Sequence, residues 1–87
     1  MLKVVWSDEA LTQLEFWKYT NKKMTKRIHL LIDSIMSTPC TGIGKPEPLK
    51  YELSGFWSRR IDQEHRLVYS FNKETKIIII ESCKGHY

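Results

Sequence analysis

Four consecutive isoleucines, Ile77 to Ile80, constrain what this chain can fold into more than any other stretch. A β-branched run suits a strand, and at an open sheet edge it would invite other chains to pair with it. It is therefore expected at the centre of a sheet, buried on both faces. The residues around and before it supply neighbours in short pieces. Leu49 to Leu53, Phe56 to Ile61, Arg66 to Phe71 and Lys76 to Cys83 read as strands, separated by Ser54-Gly55, Asp62-Gln63-Glu64 and Asn72-Lys73-Glu74-Thr75. All three connections have hairpin length, which makes an antiparallel meander.

The first half of the chain changes period. After a short strand over Leu2 to Trp6, Ser7 followed by Asp8 and Glu9 marks a helix start: a hydroxyl for an orphan amide, then two acids at the positive end of the dipole. Ala10, Leu14 and Trp17 recur at helical spacing as far as about Thr20. Beyond the polar corner Thr20 to Lys23, the residues Met24, Ile28, Leu31, Ile32 and Ile35 form a second apolar stripe. Thr38-Pro39 ends that helix, because the residue before proline is pushed out of helical geometry. Gly42, Gly44, Pro46 and Pro48 then exclude helix and central strand alike and make a constrained loop. The expected fold is α+β: an N-terminal strand and an α-helical hairpin packed on a mainly antiparallel curved sheet, in the order β-α-α-β-β-β-β.

At 87 residues, 41% of them hydrophobic, the chain has the size and apolar content of one domain spanning 1–87. The net charge of +4 favours an anionic partner. It is spread evenly, 6 − 4 = +2 up to Gly42 and 8 − 6 = +2 after it, so any anion site must be local. No stretch is long and apolar enough for a membrane span, and the N-terminus carries no signal-peptide pattern, so a cytoplasmic protein is expected. Cys40 and Cys83 fit neither a disulfide framework nor a zinc site and read as reduced packing residues.

Period two on the strand Arg66 to Phe71 sets Leu67, Tyr69 and Phe71 against the helices and turns Arg66, Val68 and Ser70 to the open face. Arg59 or Arg60 joins Arg66 there, depending on register. Two or three arginines on a concave face match the oxygens of a phosphate; the competing reading is a solvated face with charged pairs. Glu47, between Pro46 and Pro48 and near Lys45 and Lys50, is a stiffly aimed carboxylate suited to a general base, or else an exposed loop acid. His86 and Tyr87 end the chain. An imidazole exchanges protons near neutrality if positioned, whereas a fraying tail would do nothing. His65 reads as structural. With no HExxH, no paired Cys/His spacing and no P-loop, neither a metal nor another cofactor is implied.

Gly44-Lys45-Pro46-Glu47-Pro48-Leu49-Lys50, the stretch from Leu53 to Ile61 (LSGFWSRRI), Glu64-His65-Arg66-Leu67-Val68-Tyr69 and the final His86-Tyr87 together resemble the YoeB (Txe/YoeB) branch of the RelE-type toxins. The resemblance extends over nearly the whole chain. It implies a ribosome-dependent mRNA endoribonuclease acting in the A site. A YefM/Phd-type antitoxin would neutralise it, and the complex would bind operator DNA and repress its own operon. By the same resemblance Glu47 is the general base toward the 2′-hydroxyl, Arg66 stabilises the phosphorane, His86 protonates the leaving 5′-oxygen and Tyr87 positions the substrate. Arg59, Arg60 and Lys50 match phosphate-binding positions. The products would be a 2′,3′-cyclic phosphate and a 5′-hydroxyl, formed without metal. Gly85 departs from the family pattern, which carries a bulkier, often aromatic, residue there. Two other readings accompany this one: a catalytically weak relative serving as antitoxin partner and co-repressor, and a free-standing RNA-binding module. A homodimer would bury surface that so small a core leaves exposed.

Overall fold

The computed structural model describes residues 2–85; His86 and Tyr87 lie outside them. Its elements are β1 (Lys3–Trp6), α1 (Asp8–Thr20), α2 (Lys22–Ser37), β2 (Glu47–Pro48), a 3-10 turn (Tyr51–Leu53), β3 (Phe56–Arg60), β4 (Arg66–Asn72) and β5 (Ile77–Ser82). The five strands form one sheet in the order β1-β5-β4-β3-β2, antiparallel except where β1 runs parallel to β5. The fold is the expected α+β arrangement, and the isoleucine strand is central.

Helix α1 starts where the sequence places it. Ser7 Oγ accepts the Ala10 N–H at 3.0 Å and donates to the Glu81 carbonyl at 2.8 Å, so one hydroxyl both caps the helix and ties it to β5. Asn21 caps α2 by accepting from Lys23 N–H, and α2 ends at Thr38. The two apolar stripes pack on Leu67, Tyr69, Ile78 and Ile80, all fully buried, to make one continuous core. Burying each such aliphatic side chain stabilises the fold by roughly 1.5–3 kcal/mol.

Three expectations are corrected. First, Leu49 to Leu53 is not a strand. Pairing is confined to Glu47–Pro48, and Tyr51, at φ 57°, breaks the extended chain into the 3-10 turn. Flanking prolines tolerate such a stub because it lies at the sheet edge. Second, β5 is fully buried on only one face: Ile78 and Ile80 meet the helices, while Ile77 and Ile79 remain half-buried on the other. A bulge then changes its parity. Tyr69 pairs with Ile80 but Val68 with Ser82, leaving Glu81 as the extra residue. Cys83 consequently turns into the core and Ser82 to the open face. Third, Cys40 is exposed and only Cys83 packs.

Arg59 is also corrected. The expectation placed it on the phosphate-facing side, but the register pairs it with Leu67, on the helix side of the sheet, where it is fully buried. Its Nε donates to Tyr69 Oη (3.1 Å), its Nη1 to Ser34 Oγ (2.8 Å) and the Ile43 carbonyl (3.0 Å), and its Nη2 to the carbonyls of Thr38 (2.8 Å) and Thr41 (2.7 Å). The guanidinium thus meets the negative end of the α2 dipole and gathers the loop after it. Gly42, at φ 114°, is required beside it, since a Cβ there would collide with Ser34 Oγ and crowd Arg59 Nη1.

Replacing Arg59 by Met removes the donor fork and strands several buried acceptors, at about 1–3 kcal/mol each. A urea titration is expected to show a loss of at least about 3 kcal/mol, and Arg59→Lys to recover little of it, because an ammonium lacks the planar fork. The cysteines give a second check. Burial pushes the Cys83 thiol up to about 12, so the native protein at pH 8 should take up one equivalent of iodoacetamide, at Cys40, and two once unfolded.

Candidate active site

The β3–β4 register decides which arginine accompanies Arg66. Arg60 pairs directly with Arg66, and Ser58 with Val68, so these four residues share the open face. Glu47 pairs with Ser58 and joins the same face at the edge. Neighbouring strands lie about 4.8 Å apart and alternate residues about 6.6 Å. Glu47 therefore stands one row from the Arg60–Arg66 pair, within reach of a common ligand for side chains of this length.

Each group is held by its backbone. Gly44, at φ 83°, and Lys45, at φ 51°, turn the loop back, and the Arg60 N–H donates to the Gly44 carbonyl at 2.7 Å. On the far side of Glu47, Leu49 N–H donates to the Phe56 carbonyl at 2.9 Å. The Glu47 backbone is thus fastened before and behind while its side chain is exposed. Lys50 follows, exposed on the same rim at the start of the 3-10 turn.

Arg66 is half-buried. Its Nη1 donates to the carbonyls of Asp62 (2.9 Å) and His65 (3.1 Å), which fixes one side of the fork. The β3–β4 connection that supplies those carbonyls is stiffened by Asp62, whose carboxylate accepts the N–H of Glu64 (2.9 Å) and His65 (2.7 Å). Its slight burial would raise the carboxyl pKa, but these two amides, helped by His65 and Arg66, hold it below the ordinary range. Arg66 N–H also donates to the carbonyl of Gly85, so the chain is tied to the first residue of β4 immediately before His86.

Of the residues nominated from sequence, Glu47, Arg60 and Arg66 converge and Lys50 borders them. Arg59 does not join them, and His86 and Tyr87 lie outside the described residues. Beside the converging residues, and without a signal in the residue pattern, lies an open cavity of about 250 Å³ bounded by Leu53, Phe56, Val68, Ser82, Glu9 and Glu81. Its apolar floor depends on the bulge and on the 3-10 turn, neither of which the alternation of residues reveals. Among the described residues no group of three His, Cys, Asp or Glu side chains is placed to hold a metal ion, and no helix is long and apolar enough to cross a membrane. A face with one carboxylate beside two arginines can bind a phosphodiester and remove a proton from a group next to it.

Comparison with known proteins bears on the chain as a whole. The family model of YoeB-like toxins of bacterial type II toxin-antitoxin systems matches residues 6–87. Toxin YoeB of Escherichia coli K12 is 46% identical over 86 residues, covering 99% of this chain and 100% of the relative. A YoeB dimer from Staphylococcus aureus superposes with a TM-score of 0.90 at 44% identity, covering 99% of this chain and 98% of that one. A YoeB–YefM complex from the same organism gives 0.88 at 44%, covering 100% and 99%. A sheet of this topology, this arginine row and matches of this length have one reading: the chain belongs to the YoeB family, toxins of bacterial toxin–antitoxin systems.

Proposed function

We propose that this toxin is a ribosome-dependent endoribonuclease that cleaves mRNA in the A site without a metal ion. Toxins of the RelE/YoeB type are generally ribonucleases, and the observation that carries the reading is the shared face of Glu47, Arg60 and Arg66. In RNA the neighbouring 2′-hydroxyl is an intramolecular nucleophile, so the protein need only orient it, take one proton, give one and stabilise the charge between.

Glu47 takes the 2′-hydroxyl proton as the oxygen attacks phosphorus. Arg66 meets the charge that accumulates on the phosphorane, with Arg60 and Lys50 holding the flanking phosphates. His86 returns a proton to the departing 5′-oxygen, and Tyr87 keeps the nucleotide in place. The P–O5′ bond breaks as the P–O2′ bond forms, leaving a 2′,3′-cyclic phosphate and a 5′-hydroxyl. An exposed Glu47 and a half-buried Arg66 leave this face open to solvent, so the in-line geometry of attack is proposed to come from the ribosome that presents the strand.

A YefM/Phd-type antitoxin is the proposed neutralising partner, by analogy with the Staphylococcus aureus YoeB–YefM complex, and the complex of the two is the proposed repressor of the operon. Homodimerisation is proposed on the same footing from the Staphylococcus aureus dimer. The cytoplasm, where ribosomes and mRNA are found, is the proposed location.

The test is end-mapped cleavage of a defined mRNA, with and without ribosomes paused at the start codon. Wild-type protein should cut at the A-site codon only when ribosomes are present, and a chelator should leave the rate unchanged. Glu47→Ala and His86→Gln should each reduce the single-turnover rate by at least about 100-fold, and Arg66→Ala by about 100- to 1,000-fold. A folded wild type that binds programmed ribosomes and leaves the message whole would refute the assignment.

A further inference from the structure

Four hydrogen bonds fix the segment that follows β5. Cys83 N–H donates to Gln13 Oε1 at 2.6 Å, and the Cys83 carbonyl accepts from Trp17 Nε1 at 2.9 Å. Two residues on, Gly85 N–H donates to His65 Nδ1 at 2.8 Å, and the Gly85 carbonyl accepts from Arg66 N–H at 2.9 Å. The partners also brace one another. The rings of Trp17 and His65 meet edge to face with centroids 4.8 Å apart, and the Phe16 ring meets Trp17 at 5.0 Å. Because Nδ1 accepts, the imidazole proton belongs on Nε2, which faces the Glu64 carboxylate at 3.7 Å.

Anchoring the end of β5 to the helices would need only the pair of bonds at Cys83. The pair at Gly85 lies two residues beyond the buried Cys83 and fastens the chain to His65, just before β4, and to Arg66, the first residue of β4. Gly85 is at φ 86° with open space around the position of a Cβ, so the backbone direction, rather than crowding, calls for glycine there.

We propose that Gln13, Trp17 and His65 are positioning residues for RNA cleavage: they hold Cys83 to Gly85, the segment that leads into His86, with Gly85 fastened beside Arg66. This rests on the function proposed above, with His86 as the proton donor. The roles divide by chemistry. His65 supplies an acceptor to the last fixed amide, and Trp17 both orients that imidazole and holds the carbonyl two residues earlier. None of the three needs to touch RNA.

The decisive variant is His65→Phe, which keeps a ring against Trp17 and removes the acceptor. His65→Asn is its control, since the side-chain oxygen of asparagine can take the place of Nδ1. On ribosomes paused at the start codon, His65→Phe should lower kcat by at least about 10-fold, with KM changed by less than about 2-fold, because a small misplacement of a reacting group is costly while substrate contacts remain. His65→Asn should regain most of the rate. In a His86→Gln background His65→Phe should cost nothing further. Amide exchange of Gly85, followed by NMR, reads the clamp without any reaction and should quicken at least about 10-fold in His65→Phe while the urea midpoint shows the variant folded.

Unchanged Gly85 exchange would overturn the clamp whether or not the protein cleaves RNA. Quickened exchange with an unchanged kcat, or an equal loss of rate in the His86→Gln background, would overturn the positioning role while leaving the proposed nuclease intact. A wild type that does not cleave would refute the nuclease reading and the positioning role with it, and the exchange result would then stand as a structural fact alone.

Discussion

The buried guanidinium of Arg59 is the interaction on which the rest of the structure turns. Taking a cation out of water is expensive, and among the described residues no carboxylate pairs with it. Carbonyl dipoles at the end of α2 and in the loop after it do so instead, together with the hydroxyls of Ser34 and Tyr69. The loop carbonyls among them lie beyond the last helical turn and have no ladder of their own to join. One side chain of β3 therefore closes the helical hairpin onto the sheet and sets the path of residues 38–43, which leads to Gly44 and from there to Glu47. Tyr69 shares the arrangement: its hydroxyl accepts from Arg59 and donates to Pro39, and burial raises its pKa.

With that loop placed, the candidate site consists of groups whose backbones are fixed and whose side chains face solvent. Glu47 is fastened through its neighbours, and Arg66 through carbonyls of its own hairpin. The opposite sides of β3 divide two adjacent arginines between unrelated tasks: Arg59 neutralises a helix end inside the protein, while Arg60 faces outward in the row with Arg66. A one-residue slip of β3 would exchange them, burying the wrong cation and emptying the arginine row, so the register of this strand is specified twice over.

Local signals carried much of this fold. The Ser7 cap, the stop at Thr38-Pro39 and the hairpin-length turns are properties of neighbouring residues and could be read directly. The resemblance of four separated motifs named the family, and the comparisons agree. What the sequence concealed is long-range. Nothing in Arg59-Arg60 states which arginine faces the helices, because strand alternation leaves the phase open until pairing settles it. The strand expected over Leu49 to Leu53 failed because alternation continued past a residue that takes a left-handed backbone, Tyr51. The inward turn of Cys83 depends on the bulge at Glu81, which breaks the period of two that the reading relied on. Glu47 and Arg66 were legible as candidates by residue type, but their convergence needed the sheet.

The parallel pairing of β1 with β5 joins the two ends of the chain, with Lys3 beside Ile77 and Ser7 bonded to Glu81 across 74 positions. Such a contact closes a loop containing almost the whole sequence, so its entropic cost falls due only when nearly everything has been synthesised. Helix α1 finds its strand partner late. A nascent chain that has not yet reached β5 has the two helices and the edge strands but no finished sheet, because the strand that joins β1 to β4 is missing.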